Sequence, residues 1–572
     1  MSIKLIPEVK KLEIREGFLQ KKSICVNDSG LDARLSKALQ KLPLAKDGAK
    51  LNIQLTGQSG EAYEIQIDKD AINVKAAGTA GAFYAIQTLR QLFAQDEIPC
   101  MNIEDEPDFS YRGFYHDVTR GKVPTVDSIK ELIDCMAYYK MNSLQLYIEH
   151  TFEFEECGEE LLANGYLTKD EIRELDAYCN ENFISFIPSL STFGHMYEIL
   201  QQEKYHHLRV LKDYQQLHHF WQERMRHHTI DPLHPDSFPL VCSLIDQYMP
   251  LFSSDVFNIC CDETFDLQSY GEQGMDEGKI YVDFVKKIAD YVKQKGKKVM
   301  MWGDILLKHP ERIQDIPEDT YLLNWFYRLD PPEEDVIRFA QSGRPQIVCP
   351  GTTIWNRFCE NVAVEENNIS LMIEYGHRHG AEGVLNTNWG DRGHTCSLEL
   401  SMYGMILGAA KSWNVATQTG ESLDNAVNFH LYRSEKGMEY LRRLSCLQEQ
   451  LQWIPFTFQY HADRFGEQND PLERVVFSGS LPQFQKDYVA LAADLKADTT
   501  LDSEIRDEML LAAEGVCIMA ELYALRQGEK VTRVSETKSW LTSYRTKWTQ
   551  KNKESELRNI EDLFLWCEEN WK

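Results

Sequence analysis

The sequence lacks any long hydrophobic run, and this argues against a membrane-spanning protein. No stretch approaches the roughly 20 consecutive apolar residues that a transmembrane helix needs. Residues 1–8 also have no apolar core of the length found in signal peptides. We therefore expect a cytoplasmic protein without a membrane partner.

Basic residues are fewer than acidic ones, and this argues against a nucleic-acid or anionic-membrane partner. The chain has 61 Lys and Arg against 89 Asp and Glu, so its net charge is −28 at pH 7. Nucleic acids and anionic membranes bind to basic surfaces, which this composition does not favour. We expect no nucleic-acid partner.

The 14 cysteines show no pattern that indicates a metal centre. They are scattered, without paired CxxC units or a His/Cys cluster at the spacing of a zinc site. A cytoplasmic protein would keep them as thiols, and Cys260 and Cys261 lie in an apolar run typical of buried ones. The sequence predicts no metal site and no cofactor.

The first hundred residues have the pattern of a small mixed domain. A chain of 572 residues is too long for one ordinary core, so two or three domains are expected. Apolar and polar residues alternate as in half-buried antiparallel strands over residues 51–55, 63–67 and 72–74. Residues 81–93 then have helical spacing. We predict a supporting α+β domain over residues 1–105.

From about Phe109 onward, short apolar runs recur, and each is followed by a helical stretch. The runs span residues 113–118, 143–148, 183–188, 256–261, 298–302, 321–325, 346–350 and 383–387. This α/β alternation is the pattern of a closed (β/α)8 TIM barrel, which we place at residues 106–420. An open doubly wound sheet is the alternative, but no Gly-rich phosphate turn follows the first strand.

No strand-like run follows residue 420, and the pattern there is helical. Two apolar sets have the spacing of amphipathic helices. They are Leu441, Leu444, Leu447, Leu451 and Trp453, and then Met509, Leu510, Val516, Met519, Leu522 and Leu525. We predict an α-helical domain over residues 421–572, which could also form a homo-oligomer contact.

Polar and aromatic residues follow the predicted strands at the barrel mouth, where the active site of this fold lies. They are Arg120, Glu149, His195, Asp262, Glu263, Trp302, Asp304, Trp325, Tyr327, Trp389 and Asp391. Adjacent carboxylates alone would be consistent with an ordinary loop. Three tryptophans and an arginine at the same mouth instead indicate a sugar site, because indole stacks on sugar C–H faces and Arg and Asp bind hydroxyls.

Asp262 and Glu263 are adjacent, whereas most glycosidases place two carboxylates on separate strands across the sugar ring. A substrate that carries its own nucleophile removes this difficulty. The carbonyl oxygen of a 2-acetamido group can attack the anomeric carbon and form an oxazolinium. Asp262 would then hold the acetamido N–H, and Glu263 would protonate the leaving oxygen and later deprotonate water. The tryptophans would enclose the acetamido methyl group.

Several motifs carry a resemblance to a known family. They are residues 103–113, Asp117-Val118-Thr119-Arg120, Gly194-His195, Asp262-Glu263 and Trp389-Gly390-Asp391. From about residue 50 to residue 395 the chain resembles family 20 glycoside hydrolases, the β-N-acetylhexosaminidases. The resemblance implies that Arg120 binds ring hydroxyls, that Asp391 meets an outer hydroxyl and that Arg112 is structural.

The chain departs from the family pattern at three points. Asn258 stands where the family usually has His, four residues before the Asp of the pair. The carboxylate expected to orient His195 is missing or displaced to Glu149, a possible supporting residue behind the site. The seventh strand lacks the tyrosine for the acetamido oxygen, so Tyr327 or a threonine would substitute.

The leading hypothesis is a cytoplasmic exo-acting β-N-acetylhexosaminidase that removes terminal β-linked GlcNAc, GalNAc or both from oligosaccharides. One alternative is a retaining β-glycosidase whose nucleophile is Asp304 or Glu149. Another is a carbohydrate-binding protein without catalysis.

Overall fold

The computed structural model describes residues 3–26, 30–163, 165–212, 221, 224, 228–467 and 480–571. Among these residues, every helix falls short of the combined length and apolarity that a bilayer-spanning helix requires.

The N-terminal part is a sheet of six strands in the order β1-β6-β4-β5-β3-β2. The strands are β1 (Lys11–Phe18), β2 (Ile24–Val26), β3 (Ala49–Leu55), β4 (Tyr63–Ile67), β5 (Ala71–Ala76) and β6 (Pro99–Asp105). The prediction of antiparallel pairing is right for β4 with β5 but wrong for β3, which runs parallel to β2 and β5. Alternation reports which face is buried and carries no information on strand direction.

Two helices, Ala33–Leu39 and Thr79–Phe93, accompany this sheet. The second was predicted from Phe83, Ile86, Leu89 and Phe93, of which the first three are buried and Phe93 is half-buried. Its polar side is buried as well, because the helix lies between the sheet and the barrel. Gln91, for example, donates its side-chain amide to the carbonyl of Tyr138 at 3.2 Å.

The central part is the predicted closed barrel of eight parallel strands. They are β7 (Tyr111–Asp117), β8 (Ser143–Ile148), β9 (Ser185–Leu190), β10 (Val256–Asn258), β11 (Lys298–Trp302), β12 (Tyr321–Trp325), β13 (Gln346–Cys349) and β14 (Gly383–Asn388). Pairing of β14 with β7 closes the ring. Two predicted edges were wrong. Phe183 (φ 59°) precedes β9, and Cys260 and Cys261 (φ 55° and 67°) follow β10, because left-handed backbone cannot continue a strand.

Helices surround the barrel, and its interior is filled by side chains. The helices are Val126–Tyr138, Glu159–Leu162, Lys169–Glu181, Tyr197–Leu200, Ser237–Tyr248, Gln268–Glu272, Glu277–Gln294, Asp304–Lys308, Glu333–Ser342, Val362–Arg378 and Met402–Trp413. Inside, Tyr115, Met300, Trp302 and Leu323 belong to a separate apolar cluster. The barrel is therefore a packed core whose chemistry is confined to its rim.

The C-terminal part is helical, as predicted. Its helices are Glu421–Val427, Gly437–Glu449, Trp453–Phe465, Leu481–Ala497, Ser503–Arg526, Thr537–Lys551 and Leu557–Asn570. Leu441, Leu444 and Leu447 are buried on one stripe. These helices contact the barrel rim, where the Tyr544 hydroxyl donates to the carbonyl of Thr395 at 2.9 Å.

A buried polar cluster joins the small sheet to the barrel. The Lys140 ammonium donates to Asp105 Oδ2 at 3.0 Å and to the Tyr63 hydroxyl at 2.7 Å. The Trp413 indole donates to the other Asp105 oxygen at 2.9 Å. Arg112 is fully buried and donates to Glu61 Oε2 at 2.6 Å, the structural position that the resemblance implied for it.

Candidate active site

The turn that carries Asp262 and Glu263 leaves the strand geometry entirely. Cys260, Cys261 and Glu263 all have positive φ, and the last has φ 47°. Alternation along a strand would send adjacent side chains to opposite faces. This twisted backbone instead brings both carboxylates to one group, since His195 Nε2 lies 3.4 Å from Asp262 Oδ2 and 3.3 Å from Glu263 Oε2.

The charge state of His195 follows from these neighbours. Burial of the ring lowers its pKa, but the charge of Asp262 and hydrogen bonds to Asp262 and Glu263 raise it, with a net pKa of about 10. The imidazole is therefore a cation at neutral pH and forms ion pairs with both carboxylates through Nε2. Its backbone N–H donates to His228 Nδ1 at 2.7 Å, which helps to hold the loop.

Glu149 lies on the opposite side of the His195 ring from the carboxylate pair. Its Oε1 is 3.9 Å from His195 Nδ1 and 3.5 Å from Arg120 Nε. The same oxygen accepts a hydrogen bond from the Tyr147 hydroxyl at 2.7 Å. The structure thus brings Glu149 to the ring, at the place where the sequence predicted a supporting carboxylate.

Asp304 is a third carboxylate beside the pair. Its Oδ2 accepts a hydrogen bond from the backbone N–H of Glu263 at 3.1 Å. Burial, followed by the charges of Asp262 and Glu263, raises the pKa of Asp304 to about 7. Asp304 is thus linked to the backbone of the reactive turn, which the spacing of the sequence did not show.

Arg120 and Asp391 meet across the closure of the barrel. Arg120 Nη1 lies 2.6 Å from Asp391 Oδ1, and its guanidinium lies 5.1 Å from the Trp389 ring centre. The Asp391 side chain is 37% exposed, so its second oxygen can reach a ligand. Together they present a donor and an acceptor at the rim, which suits adjacent hydroxyls.

Asp117 holds the loops that carry Arg120 and Asp391, a role that the sequence pattern did not predict. Its Oδ1 accepts the backbone N–H groups of Thr119 and Arg120 at 2.9 and 3.0 Å. Its Oδ2 accepts the N–H of Gly390 at 3.0 Å. Burial raises its pKa to about 6. The available signal was its place at the end of the first strand, in the motif that also contains Arg120.

The aromatic residues at the barrel mouth differ in how deeply they are buried. Trp302 is fully buried inside the barrel, and Trp389 lies 5.8 Å from it with 7% exposure. Trp325 and Tyr327 are half-buried and stacked at 5.1 Å. The Trp389 indole donates to the Tyr327 hydroxyl at 2.8 Å. Of the three predicted tryptophans, Trp302 lies deepest in the barrel, and Trp389 and Trp325 line the side of the candidate site.

The departure at Asn258 has a structural reason. Its side-chain amide donates to Gln145 Oε1 at 2.9 Å, and its oxygen accepts the N–H of Cys260 at 2.9 Å. The second contact caps the strand where the backbone turns.

Of the threonines that could bind an acetamido oxygen, Thr352 donates to Asn388 and Thr353 donates to the carbonyl of Asn361, both at 3.1 Å.

The ligand atoms of His195, Asp262 and Glu263 lie within 4.8 Å of one another, a spacing that a metal ion could use. A metal ligand must be a neutral imidazole, whereas these carboxylates favour the protonated ring. The donor set fits a charge-assisted hydrogen-bond network better than a metal centre.

A carboxylate pair with aromatic walls at the mouth of a (β/α)8 barrel is the arrangement of a glycoside hydrolase. A model of the glycosyl hydrolase family 20 catalytic domain matches residues 109–427, and one of domain 2 of that family matches residues 2–106. The chain belongs to glycosyl hydrolase family 20.

Individual relatives are distant. The chain is 26% identical to a β-hexosaminidase of Porphyromonas gingivalis over 43% of this chain and 36% of that one. A β-hexosaminidase of Vibrio furnissii is 23% identical over 54% of each chain. The chain thus spans about a third to a half of the length of these relatives. The structure of Flavobacterium johnsoniae chitobiase covers 98% of this chain and 99% of its own, with TM-score 0.61 at 16% identity, which shows the fold alone.

Proposed function

We propose that this protein is an exo-acting β-N-acetylhexosaminidase that removes terminal β-linked GlcNAc, GalNAc or both, with retention of configuration. The observation that carries the proposal is the convergence of Asp262 and Glu263 on one atom, His195 Nε2, at 3.4 and 3.3 Å. Two carboxylates that meet in this way do not straddle a sugar ring, so the nucleophile must come from the substrate.

The first step is attack of the acetamido carbonyl oxygen on the anomeric carbon. Glu263 gives its proton to the glycosidic oxygen as that bond breaks, and Asp262 accepts the N–H of the resulting oxazolinium and balances its positive charge. In the second step, ionised Glu263 takes a proton from water. The water oxygen attacks the anomeric carbon, and the acetamide is restored.

The other residues orient the sugar. Arg120 and Asp391 bind its hydroxyl groups at the rim, and Trp302, Trp325 and Trp389 enclose the acetamido methyl group. The Tyr327 hydroxyl binds the acetamido oxygen, since Thr352 and Thr353 donate elsewhere. His195, held between Glu149 and the pair, keeps both carboxylates in place.

The alternative with an enzyme nucleophile receives less support. Asp304 accepts the Glu263 N–H, and Glu149 accepts the Tyr147 hydroxyl on the far side of the imidazole. A buried imidazolium in contact with two carboxylates is typical of catalytic sites, which favours turnover over binding alone.

The test compares aryl β-glycosides with and without the 2-acetamido group. We expect turnover only with the acetamido group and tight inhibition by a thiazoline analogue of the oxazolinium. Glu263→Gln and Asp262→Asn should each lower kcat by about 10²–10⁴-fold. Exposed Glu272 provides the matched control, and Glu272→Gln should keep full activity. Equal turnover of the aryl β-glucoside, or unchanged rates in both site variants, would refute the proposal.

A further inference from the structure

Three side chains that can bind a metal ion meet at the surface, and none of them belongs to the candidate active site. They are His207, His234 and Asp236, and one nitrogen or oxygen atom from each lies within 4.8 Å of the other two. The two imidazole rings are in edge-to-face contact, with their centres 5.1 Å apart. His207 and Asp236 are exposed and His234 is half-buried, so an ion can reach all three ligands from solvent.

An antiparallel pair of chain segments after β9 brings the two histidines together. Residues 208–210 run beside residues 229–231, and backbone hydrogen bonds of 2.7 and 3.2 Å join them. The beginning of one antiparallel segment lies beside the end of the other. His207, which precedes the first segment, and His234, which follows the second, therefore come to the same end of the pair.

The other pair of ligands is held by the local backbone. His234 and Asp236 flank Pro235, whose ring fixes its own φ and restricts the residue before it. The Asp236 N–H donates to His234 Nδ1 at 3.2 Å, so this nitrogen has a free electron pair, as a metal ligand requires. The same Nδ1 lies 4.0 Å from Asp236 Oδ2. Two ligand atoms are therefore close together before any ion binds, which lowers the cost of binding.

Two imidazoles and one carboxylate are a donor set that suits a zinc ion. Zn²⁺ holds such ligands at about 2.0–2.2 Å, so two ligand atoms of one ion lie no more than about 4 Å apart. Separations of up to 4.8 Å therefore close by small rotations of exposed side chains.

The distribution of histidine in the sequence supports the same chemistry. Seven of the 16 histidines lie within residues 206–234, and a local excess of histidine is typical of metal-binding segments. The prediction of no metal site relied on ligands closely spaced in the sequence. Residues 207 and 234 instead meet through the antiparallel pair, which sequence spacing does not reveal.

We propose that His207, His234 and Asp236 form a site for a zinc ion, with water completing its coordination. The site is additional to the proposed function and does not depend on it. A bound ion joins residue 207 to residue 234, and a link that closes a long chain segment stabilises that segment. The segment contains His228, whose Nδ1 accepts the backbone N–H of His195 at 2.7 Å. Zinc therefore stabilises a loop that helps to position the candidate active site.

The test is calorimetric titration of the full chain after treatment with EDTA and dialysis. We expect zinc chloride to bind at one ion per chain and magnesium chloride not to bind, because Mg²⁺ prefers oxygen ligands. His207→Ala and His234→Ala should each lower the zinc affinity by at least about tenfold, since each removes one of three ligands. His206→Ala is the matched control and should keep the wild-type affinity, because this exposed imidazole contacts the carbonyl of Gln201 instead.

Any of four results overturns the zinc site. They are no zinc binding by the wild type, an unchanged affinity in both histidine variants, an equal fall in His206→Ala, and loss of binding in His195→Gln but not in His207→Ala. The last result would place the ion at the candidate active site. A second measurement is thermal unfolding, in which saturating zinc should raise the Tm of the wild type and of His206→Ala. The Tm of His207→Ala should not change, and an equal rise in that variant contradicts the proposal.

Discussion

The backbone of Gly194 passes directly against the carbonyl oxygen of Asp262. A Cβ atom at position 194 would lie 2.2 Å from that oxygen, well inside van der Waals contact. The next residue is His195, so this close approach is what brings the imidazole within 3.4 Å of the Asp262 carboxylate. Glycine is required here for space, since the contacted atom is backbone and cannot rotate away.

Gly194→Ala should therefore separate the His195 loop from the reactive turn. We expect a loss of about 1–3 kcal/mol in the free energy of unfolding, because overpacking forces the backbone to shift. We also expect kcat to fall by at least about tenfold, because small displacements of catalytic groups are costly. Gly158→Ala is the control, since a Cβ there meets only Gln202 Oε1 at 3.4 Å. Wild-type activity in Gly194→Ala would show that the approach is not needed.

His195 should make the protein less stable as the pH becomes alkaline. The net effect of its neighbours raises its pKa from 6.5 to about 10 in the folded state. Its contribution is therefore fully present below about pH 6.5 and is lost as the pH rises through about 10. Thermal unfolding should show Tm falling over this window, with a smaller fall in His195→Gln. Exposed His207 serves as control, and parallel curves for His195→Gln and the wild type would contradict the expectation.

Asp304→Asn should change how the stability of the protein depends on pH between acidic and neutral pH. Burial and two neighbouring carboxylates raise the pKa of Asp304 to about 7 in the folded state. The contribution of Asp304 to stability is therefore fully present below its unfolded pKa and is lost as the pH rises through about 7. The Asn variant should gain stability relative to the wild type between pH 4 and 8, as measured by urea unfolding. The stability profile of the variant should therefore show less of the fall that the wild type undergoes as the pH rises through about 7. An unshifted profile would argue against this coupling.

The Lys140–Asp105 pair should dominate the junction between the small sheet and the barrel. Lys140→Met leaves Asp105 buried beside Tyr63 without its cation, and breaking one side of such a pair costs about 3–5 kcal/mol. Lys130→Met removes an exposed pair with Glu174 and should cost no more than about 1 kcal/mol. Chemical denaturation of both variants measures the difference. Equal effects would mean that burial of the pair is unimportant.

Much of the fold followed from periodicity. The eight apolar runs all became barrel strands, and the apolar stripes after residue 420 became helices. The first of these helices, Gly437–Glu449, ends before Leu451 and Trp453, which were predicted to continue it. These signals are local, because burial of one face imposes a repeat on neighbouring residues. The direction of β3 and the ends of β9 and β10 were missed because they depend on strand partners and on left-handed residues that no repeat encodes.

The order of predicted strands is enough to place Asp262, Glu263, Arg120, His195 and Trp389 at one end of one barrel, because parallel strands all end at the same rim. How those residues face one another depends on the folded chain. The turn at residues 260–263 aims adjacent carboxylates at one imidazole, and Asp117 and Asp304 hold the loops that carry the reactive groups. Such contacts join residues far apart in the chain. Their geometry depends on ring closure and packing, which local sequence patterns do not specify.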